Sequence, residues 1–287
     1  MNTLCERLIQ DMQLQGFSPR TQQAYARAVR KLAEHYQKSP DLVTEEELRQ
    51  YFLYRTNVSR WSRVACTIAL CGIKFFYEQT LRRDWTTVGL AKPKRVKSLP
   101  TVLSLAEVRR ALACVHMFRH RVCLATIYSC GLRLGEGRTL QIPDIDSARM
   151  FLHIHGKGNK DRYVPLPPRT LELLRQLWKT HRHPQWLFPA PGRSGRGEAT
   201  AEQPLPVASV QIAFQEALTK ARVHKRASVR TLRHSYATHL LEQGVDLRII
   251  QHILGHATPQ TTMVYTQLTE PALKPATAII NRPMADL

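Results

Sequence analysis

Breaking a phosphodiester without a metal ion takes a nucleophile, cationic donors for the non-bridging oxygens and an acid for the departing alkoxide. Candidates for all three occur in separate short segments of the second half of this sequence: Arg133 in GLRLGEG, Lys157 in GKGNKDR, Arg233 in TLRHSYATHLL, His256 in LGHA and Tyr265 in TTMVYTQL. Each has a plainer reading when taken singly. Arg133 alone reads as a surface arginine, Lys157 as a turn lysine, and Tyr265, at helical spacing with Met263, Val264 and Leu268, as a core tyrosine.

Around these residues the sequence implies helices and one small sheet. Ser104 and Glu107 form a capping-box pattern opening helices that run to Cys130. Met150–His155 (MFLHIH), a GKGNKD turn and Arg162–Leu166 (RYVPL) read as a β-hairpin with Lys157 at its tip. Residues 187–206, with Pro189, Pro191, Gly192, Gly195 and Gly197, read as a mobile surface loop. Helical segments follow over Val207–Val223, Thr231–Gln243, Asp246–Leu254 and Thr258–Leu268, broken by basic residues, Gly244 and Gly255.

The first ninety residues also read as helical, with four short helices carrying basic positions at their edges. Ser18-Pro19 supplies an N-cap and a first-turn proline ahead of Tyr25, Val29, Leu32 and Tyr36, and Thr44 with Glu47 forms a second capping box. Between Ser59 and Leu81, Val64, Ile68, Cys71 and Phe75 are expected to form the apolar stripe, leaving Arg60, Arg63 and Lys74 on other faces. An extended basic linker, GLAKPKRVKSLP, joins the halves. The expected fold is mainly α with a small β-sheet, in two domains. A helical domain spans 1–88, the linker 89–101 and an α+β domain 102–270, leaving 271–287 as a tail.

The 287 residues hold 42 Lys+Arg against 22 Asp+Glu, a net charge of +20, of which only +4 falls in residues 1–90. A strongly anionic partner is expected. No window approaches the roughly eighteen apolar residues of a membrane span, and MNTLCERLIQDMQ lacks a signal-peptide core, so neither membrane insertion nor secretion is expected. The six cysteines (Cys5, Cys66, Cys71, Cys114, Cys123, Cys130) contain no CxxC pair. They read as reduced core thiols of a cytoplasmic protein, forming neither a disulfide framework nor a zinc ribbon.

The ordered set Arg133, Lys157, Arg233, His256 and Tyr265, together with LRHSYATHLL, LGH and a tyrosine nine residues beyond that histidine, resembles the tyrosine recombinases of the phage-integrase family. The resemblance covers most of the chain, and Arg230–Leu268 is most similar to integrases of integrons, phages and other mobile elements. It implies a SAM-like core-binding domain at the N-terminus and a catalytic domain after the linker. It also implies site-specific recombination of double-stranded DNA by a tetramer assembled on it, near the nucleoid, with no cofactor, metal, membrane or small-molecule substrate. By this resemblance Arg133 and Arg233 fork the scissile phosphate, Lys157 protonates the leaving 5′-oxygen, His256 donates to the phosphate and Tyr265 attacks. Glu136, one helical turn after Arg133, orients an arginine from behind. The tail, with Ala276, Ala278, Ile279 and Ile280, offers an apolar contact to a neighbouring protomer.

Two positions depart from the family pattern. Arg230 stands where the family usually has the histidine of HxLRH, and an arginine donates hydrogen bonds but cannot accept the tyrosine proton. Gly137 replaces a commonly apolar residue and is expected to loosen the helix after Arg133. Arg230 keeps open a second class, a catalytically impaired accessory DNA-binding protein of the same fold. A type IB topoisomerase shares the tyrosine chemistry, but length and LGH favour a recombinase. Among the histidines, His252 and His256 lack the glutamate of HExxH, and His116 and His120 read as a solvated helix face. His153 and His155 share a strand face with no carboxylate expected nearby, and none of these pairs is read as a metal site.

Overall fold

A computed structural model describes residues 2–83, 99–156, 161–192, 198–255, 259–263 and 265–266. The chain divides into two compact units, Met1–Lys97 and Ser98–Leu287. Residues 84–98 of the connection, Lys157, His256 and the tail beyond Thr266 lie outside the described residues.

Among its described residues the first unit has four α-helices, α1 (Asn2–Leu14), α2 (Pro19–Tyr36), α3 (Glu45–Asn57) and α4 (Arg63–Phe75), the last running into a π-helical turn, Phe76–Thr80. The Ser18 hydroxyl caps α2 with Pro19 in its first turn, and Thr44 and Glu47 close a reciprocal capping box on α3. Leu8, Met12, Val29, Leu32, Tyr51, Ile73 and Phe76 form the centre of its core. The expected stripe on α4 is corrected: Val64, Ile68 and Cys71 are exposed, and Cys66, Ala69, Leu70 and Ile73 face inward, with Phe75. Gly72 explains the rotation, because a Cβ there would meet the Tyr25 Cα at 2.9 Å. The glycine lets α4 approach α2 on the face that carries it, which turns the 64/68 row outward.

The second unit packs α5 (Leu105–Ala113), α6 (Phe118–Ser129), α7 (Leu134–Arg138), α8 (Pro168–His181), α9 (Val207–Lys220), α10 (Val229–Glu242), α11 (Leu247–Leu254) and α12 (Pro259–Met263) around a three-stranded antiparallel sheet. Its strands are β1 (Ile145–Asp146), β2 (Phe151–Ile154) and β3 (Arg162–Pro165), in that order. The Ser104–Glu107 box caps α5. The two strands of the expected hairpin pair antiparallel, Leu152 with Val164 and Ile154 with Arg162, and β1 adds a short third strand the sequence did not announce. Helix α8, also unannounced, buries Leu171, Leu174 and Leu177.

Residues 187–206 are not simply a surface loop. Leu187, Phe188 and Leu205 are fully buried, the Leu205 N–H donates to the Phe188 carbonyl at 2.8 Å, and Pro189 bridges Pro204. Their apolar side chains pull both ends of the segment into the core despite its Pro and Gly content. His116 and His120 share no helix face either, since α6 begins at Phe118 and His120 is buried while His116 is exposed. All six cysteines are free; Cys66, Cys123 and Cys130 are buried, Cys71 is exposed. No helix among the described residues is long and apolar enough to cross a membrane.

Candidate active site

Helix α11 ends at Leu254, and the last carbonyls of a helix have no intrahelical donor and carry the negative end of its dipole. Three arginines from three elements supply the missing donors. Arg162, opening β3, donates from Nε to the Ile253 carbonyl at 2.7 Å; Arg233, on α10, donates to Leu254 at 2.5 Å and to Gly131 at 2.9 Å; Arg133, capping α7, donates to Gly255 at 3.3 Å. One carboxylate faces all three. Glu136 accepts from Arg133 Nη1 at 2.6 Å and from both Nη atoms of Arg162 at 3.1 and 2.8 Å, and lies 3.6 Å from Arg233. It also accepts from the Arg133 backbone N–H at 2.8 Å, so the start of α7 and the arginine cluster are fixed by one side chain.

Burial alone would raise the Glu136 carboxyl, but hydrogen bonds from the Arg162 side chain and the Arg133 backbone, with the Arg162 charge and the Arg133 side chain, bring it down to about 2. It is ionised at neutral pH. Burial, then the neighbouring Arg133, press the Arg233 guanidinium down to about 9, which leaves it cationic. Three guanidinium groups against one carboxylate leave a positive surplus suited to an oxyanion. The expectation that Glu136 orients an arginine understates its reach.

Gly137 does not loosen α7. It is buried, and a Cβ there would meet Ile127 Cγ1 at 2.4 Å, so glycine lets α7 lie directly on α6 and aims Glu136 at the arginines.

Arg133, Arg230, Arg233 and Tyr265, four of the sequence-derived candidates, line a single cavity of about 540 Å³. Lys157 and His256 lie outside the described residues. Tyr265 is buried, and its hydroxyl is 2.9 Å from His234 Nδ1. Burial raises the phenol, while Arg233, Arg230 and Arg133 act to lower it. The same burial, with Arg230 and Arg233, brings the His234 imidazole down to about 4, so it is neutral at physiological pH. Arg230, exposed one turn earlier on α10, donates from Nε to His234 Nε2 at 3.3 Å. An arginine can only donate, so Nε2 accepts, the ring proton sits on Nδ1, and that N–H points at the Tyr265 oxygen.

Two members of this site escaped the sequence reading. His234 is signalled only by its place beside Arg233 and four residues after Arg230. Arg162 is signalled by alternation: it shares the inward face of β3 with Val164, and Leu166 just beyond the strand is buried too, so it is a charge in an apolar row.

The model of the phage integrase family matches residues 101–271, and that of the phage integrase N-terminal SAM-like domain matches residues 4–87. The chain belongs to the phage integrase family. It is a tyrosine recombinase, an enzyme of site-specific DNA recombination. A Sinorhizobium fredii protein named as an integrase/recombinase, y4qK, is 40% identical over 270 residues, spanning 93% of this chain and 85% of its own. Tyrosine recombinase XerD of Staphylococcus epidermidis is 30% identical over 292 residues, spanning 96% and 97%. Among solved structures, a lambda integrase tetramer bound to a Holliday junction matches with a TM-score of 0.73 over 92% of this chain and 76% of that one. At 14% identity that likeness bears on the fold alone.

On the hairpin of this recombinase one expectation is overturned. Carboxylates do face His153 and His155. His155 lies 3.1 Å from both Asp144 (through Nε2) and Asp161 (through Nδ1), and His153 Nε2 lies 3.1 Å from Asp161. Strand alternation placed the two rings on one face but not the carboxylates, one of which comes from the turn before β1 and the other from the residue just ahead of β3.

Proposed function

We propose that this recombinase cuts and rejoins double-stranded DNA through a 3′-phosphotyrosyl link to Tyr265, serving the integration, excision or movement of a mobile element. What carries the reading is the convergence of Tyr265, Arg133, Arg230 and Arg233 on one cavity with a surplus of positive charge. The Tyr265 oxygen bonds to phosphorus as the bond to the 5′-oxygen breaks, and Lys157 supplies the proton that oxygen needs. Arg133 and Arg233 hold the non-bridging oxygens and His256 adds a donor. Because the link conserves the ester, rejoining requires no ATP, and the guanidinium groups supply the charge a metal would otherwise bring.

Proton handling differs where Arg230 replaces histidine. When Arg230 turns to the phosphate it releases His234 Nε2; the ring proton then resides there and Nδ1 takes the proton of Tyr265. The ring is neutral, as a proton acceptor must be, and moving Arg230 to the phosphate takes away one of the two charges that hold its basicity down. A tetramer synapsing two sites, with the tail reaching a neighbour, and action in the cytoplasm at the nucleoid belong to the same proposal. Truncation after Leu268 is expected to abolish synapsis and spare single-site binding.

The test is a nicked suicide duplex from the flanks of the gene, resolved on a denaturing gel. The wild-type chain is expected to form a protein–DNA band that Tyr265→Phe lacks entirely and His234→Gln forms more slowly. Tight, steeply salt-dependent binding to those flanks without a band would favour the accessory binding protein.

A further inference from the structure

We infer that Asp144, His153 and His155 form a binding site for one zinc-class divalent transition-metal ion at the root of the β2–β3 hairpin, with Asp161 orienting the imidazoles. One ligand atom from each of the first three residues lies within 4.8 Å of the others, and Asp144 Oδ1 is 3.1 Å from His155 Nε2. Ligand atoms around a tetrahedral zinc, with bonds of about 2.0–2.1 Å, stand roughly 3.3 Å apart, so small ring rotations complete the set. Two borderline imidazoles with one harder carboxylate are a donor set that suits zinc, cobalt or nickel, and three protein ligands leave a fourth position to water.

The supports are already built. Asp144 is buried; its Oδ2 accepts from the Gln141 N–H at 2.8 Å, which leaves Oδ1 turned to His155. Asp161 Oδ1 accepts from the Gly156 N–H at 3.2 Å, which leaves Oδ2 turned to both rings. His153 is stacked on Tyr163, with ring centroids 5.0 Å apart at 23°. A carboxylate on the far nitrogen of a ligating histidine is the usual outer partner at such centres.

Charge makes the same demand. Both nitrogens of His155 face carboxylate oxygens, and a neutral ring has one N–H. The network is complete only with a cation at its centre, either a proton making the ring an imidazolium or a metal ion taking that place. With neutral rings, the two carboxylates carry the charge of one divalent ion. Because the ligands lie on the turn before β1, on β2 and directly after it, and Asp161 directly precedes β3, a bound ion ties the hairpin root together two residues before Lys157. An effect on strand cleavage would rest on the role proposed for Lys157; metal binding does not.

The experiment uses the full chain without DNA, stripped with chelator and dialysed, and titrated with Co²⁺. The expected result is one Co²⁺ per chain with the intense visible absorption of a tetrahedral site, displaced by Zn²⁺. Affinity should fall more than about ten-fold in His153→Gln/His155→Gln and about ten-fold in Asp161→Asn. Zn²⁺ should slow hydrogen exchange in peptides covering β2 and β3 of wild type and not of the double variant. His155 and Asp161 are exposed, and far-UV circular dichroism confirms that each variant is folded. No binding at micromolar Co²⁺, or binding equal in wild type and folded variants, overturns the inference, the second outcome placing the ion on other histidines or cysteines.

Discussion

Asp161 and Arg162 are neighbours in the sequence, yet they serve two polar clusters of opposite balance. Arg162 joins Arg133 and Arg233 around Glu136, where positive charge is left over; Asp161 joins Asp144 against His153 and His155, where, with neutral rings, negative charge is left over. Both use the backbone for support, the arginines ending on carbonyls at the end of α11 and the aspartates on the N–H groups of Gln141 and Gly156. They differ in depth: Arg162 and Arg233 are buried, whereas His155 is 59% exposed. The uncompensated sign decides whether a cluster suits an oxyanion or a cation, and the depth decides how much of the fold depends on it.

The comparison breaks most visibly at Glu136. Glu136→Ala leaves the buried guanidinium groups of Arg162 and Arg233 without their anion, and urea unfolding is expected to show a loss of about 3–5 kcal/mol. Glu136 also gives the cluster a pH signature. Its carboxyl is held at about 2, below the ordinary 4.5, so its contribution is fully present above about pH 4.5 and fades as pH falls toward 2. Stability measured from pH 6 down to pH 2 should therefore fall less steeply in folded Glu136→Gln than in wild type; equal slopes would mean that the carboxylate is not what fixes the arginines.

The next effect lies beneath the same cluster. Gly137→Ala forces a methyl against buried Ile127 and is expected to cost about 1–3 kcal/mol in chemical denaturation. Covalent-complex formation should fall with it, as α7 lifts and Glu136 withdraws. A variant as stable as wild type would show that α6 gives way without disturbing the cluster.

The two clusters were unequally legible in the sequence. Most of the helices, the caps and the hairpin followed from periodicity and local side-chain chemistry, α8 did not, and Arg133, Arg233 and Tyr265 stood out through ordered motifs. Arg162 and His234 did not, because their significance comes from contacts across the fold, to Ile253 and to Tyr265. Asp144 and Asp161 were missed as partners of the histidines for the same reason, since 11 residues separate Asp144 from His155. The α4 stripe was misread because periodicity at 64, 68, 71 and 75 says nothing about which face Gly72 presents to Tyr25.

The smallest effect is expected at His155, and its pH dependence separates a proton from a metal at the centre of the second cluster. Burial acts to lower the imidazole, but hydrogen bonds to Asp161 and Asp144 and their charges outweigh it and hold it above its ordinary value of 6.5. His153, the other titratable group facing the network, sits against Asp161. In metal-free protein the charged ring contributes below the ordinary imidazole range, and that contribution is lost as pH rises through the raised value. His155→Gln should therefore fall within about 0.5 kcal/mol of wild type, with the gap closing at alkaline pH. With Zn²⁺ present the trend reverses, because metal binds the neutral ring and stabilises only the folded form: the gap should widen as pH rises from 5 to 8. A gap that narrows in the presence of Zn²⁺ as it does without would leave the network to a proton and the hairpin root without its metal.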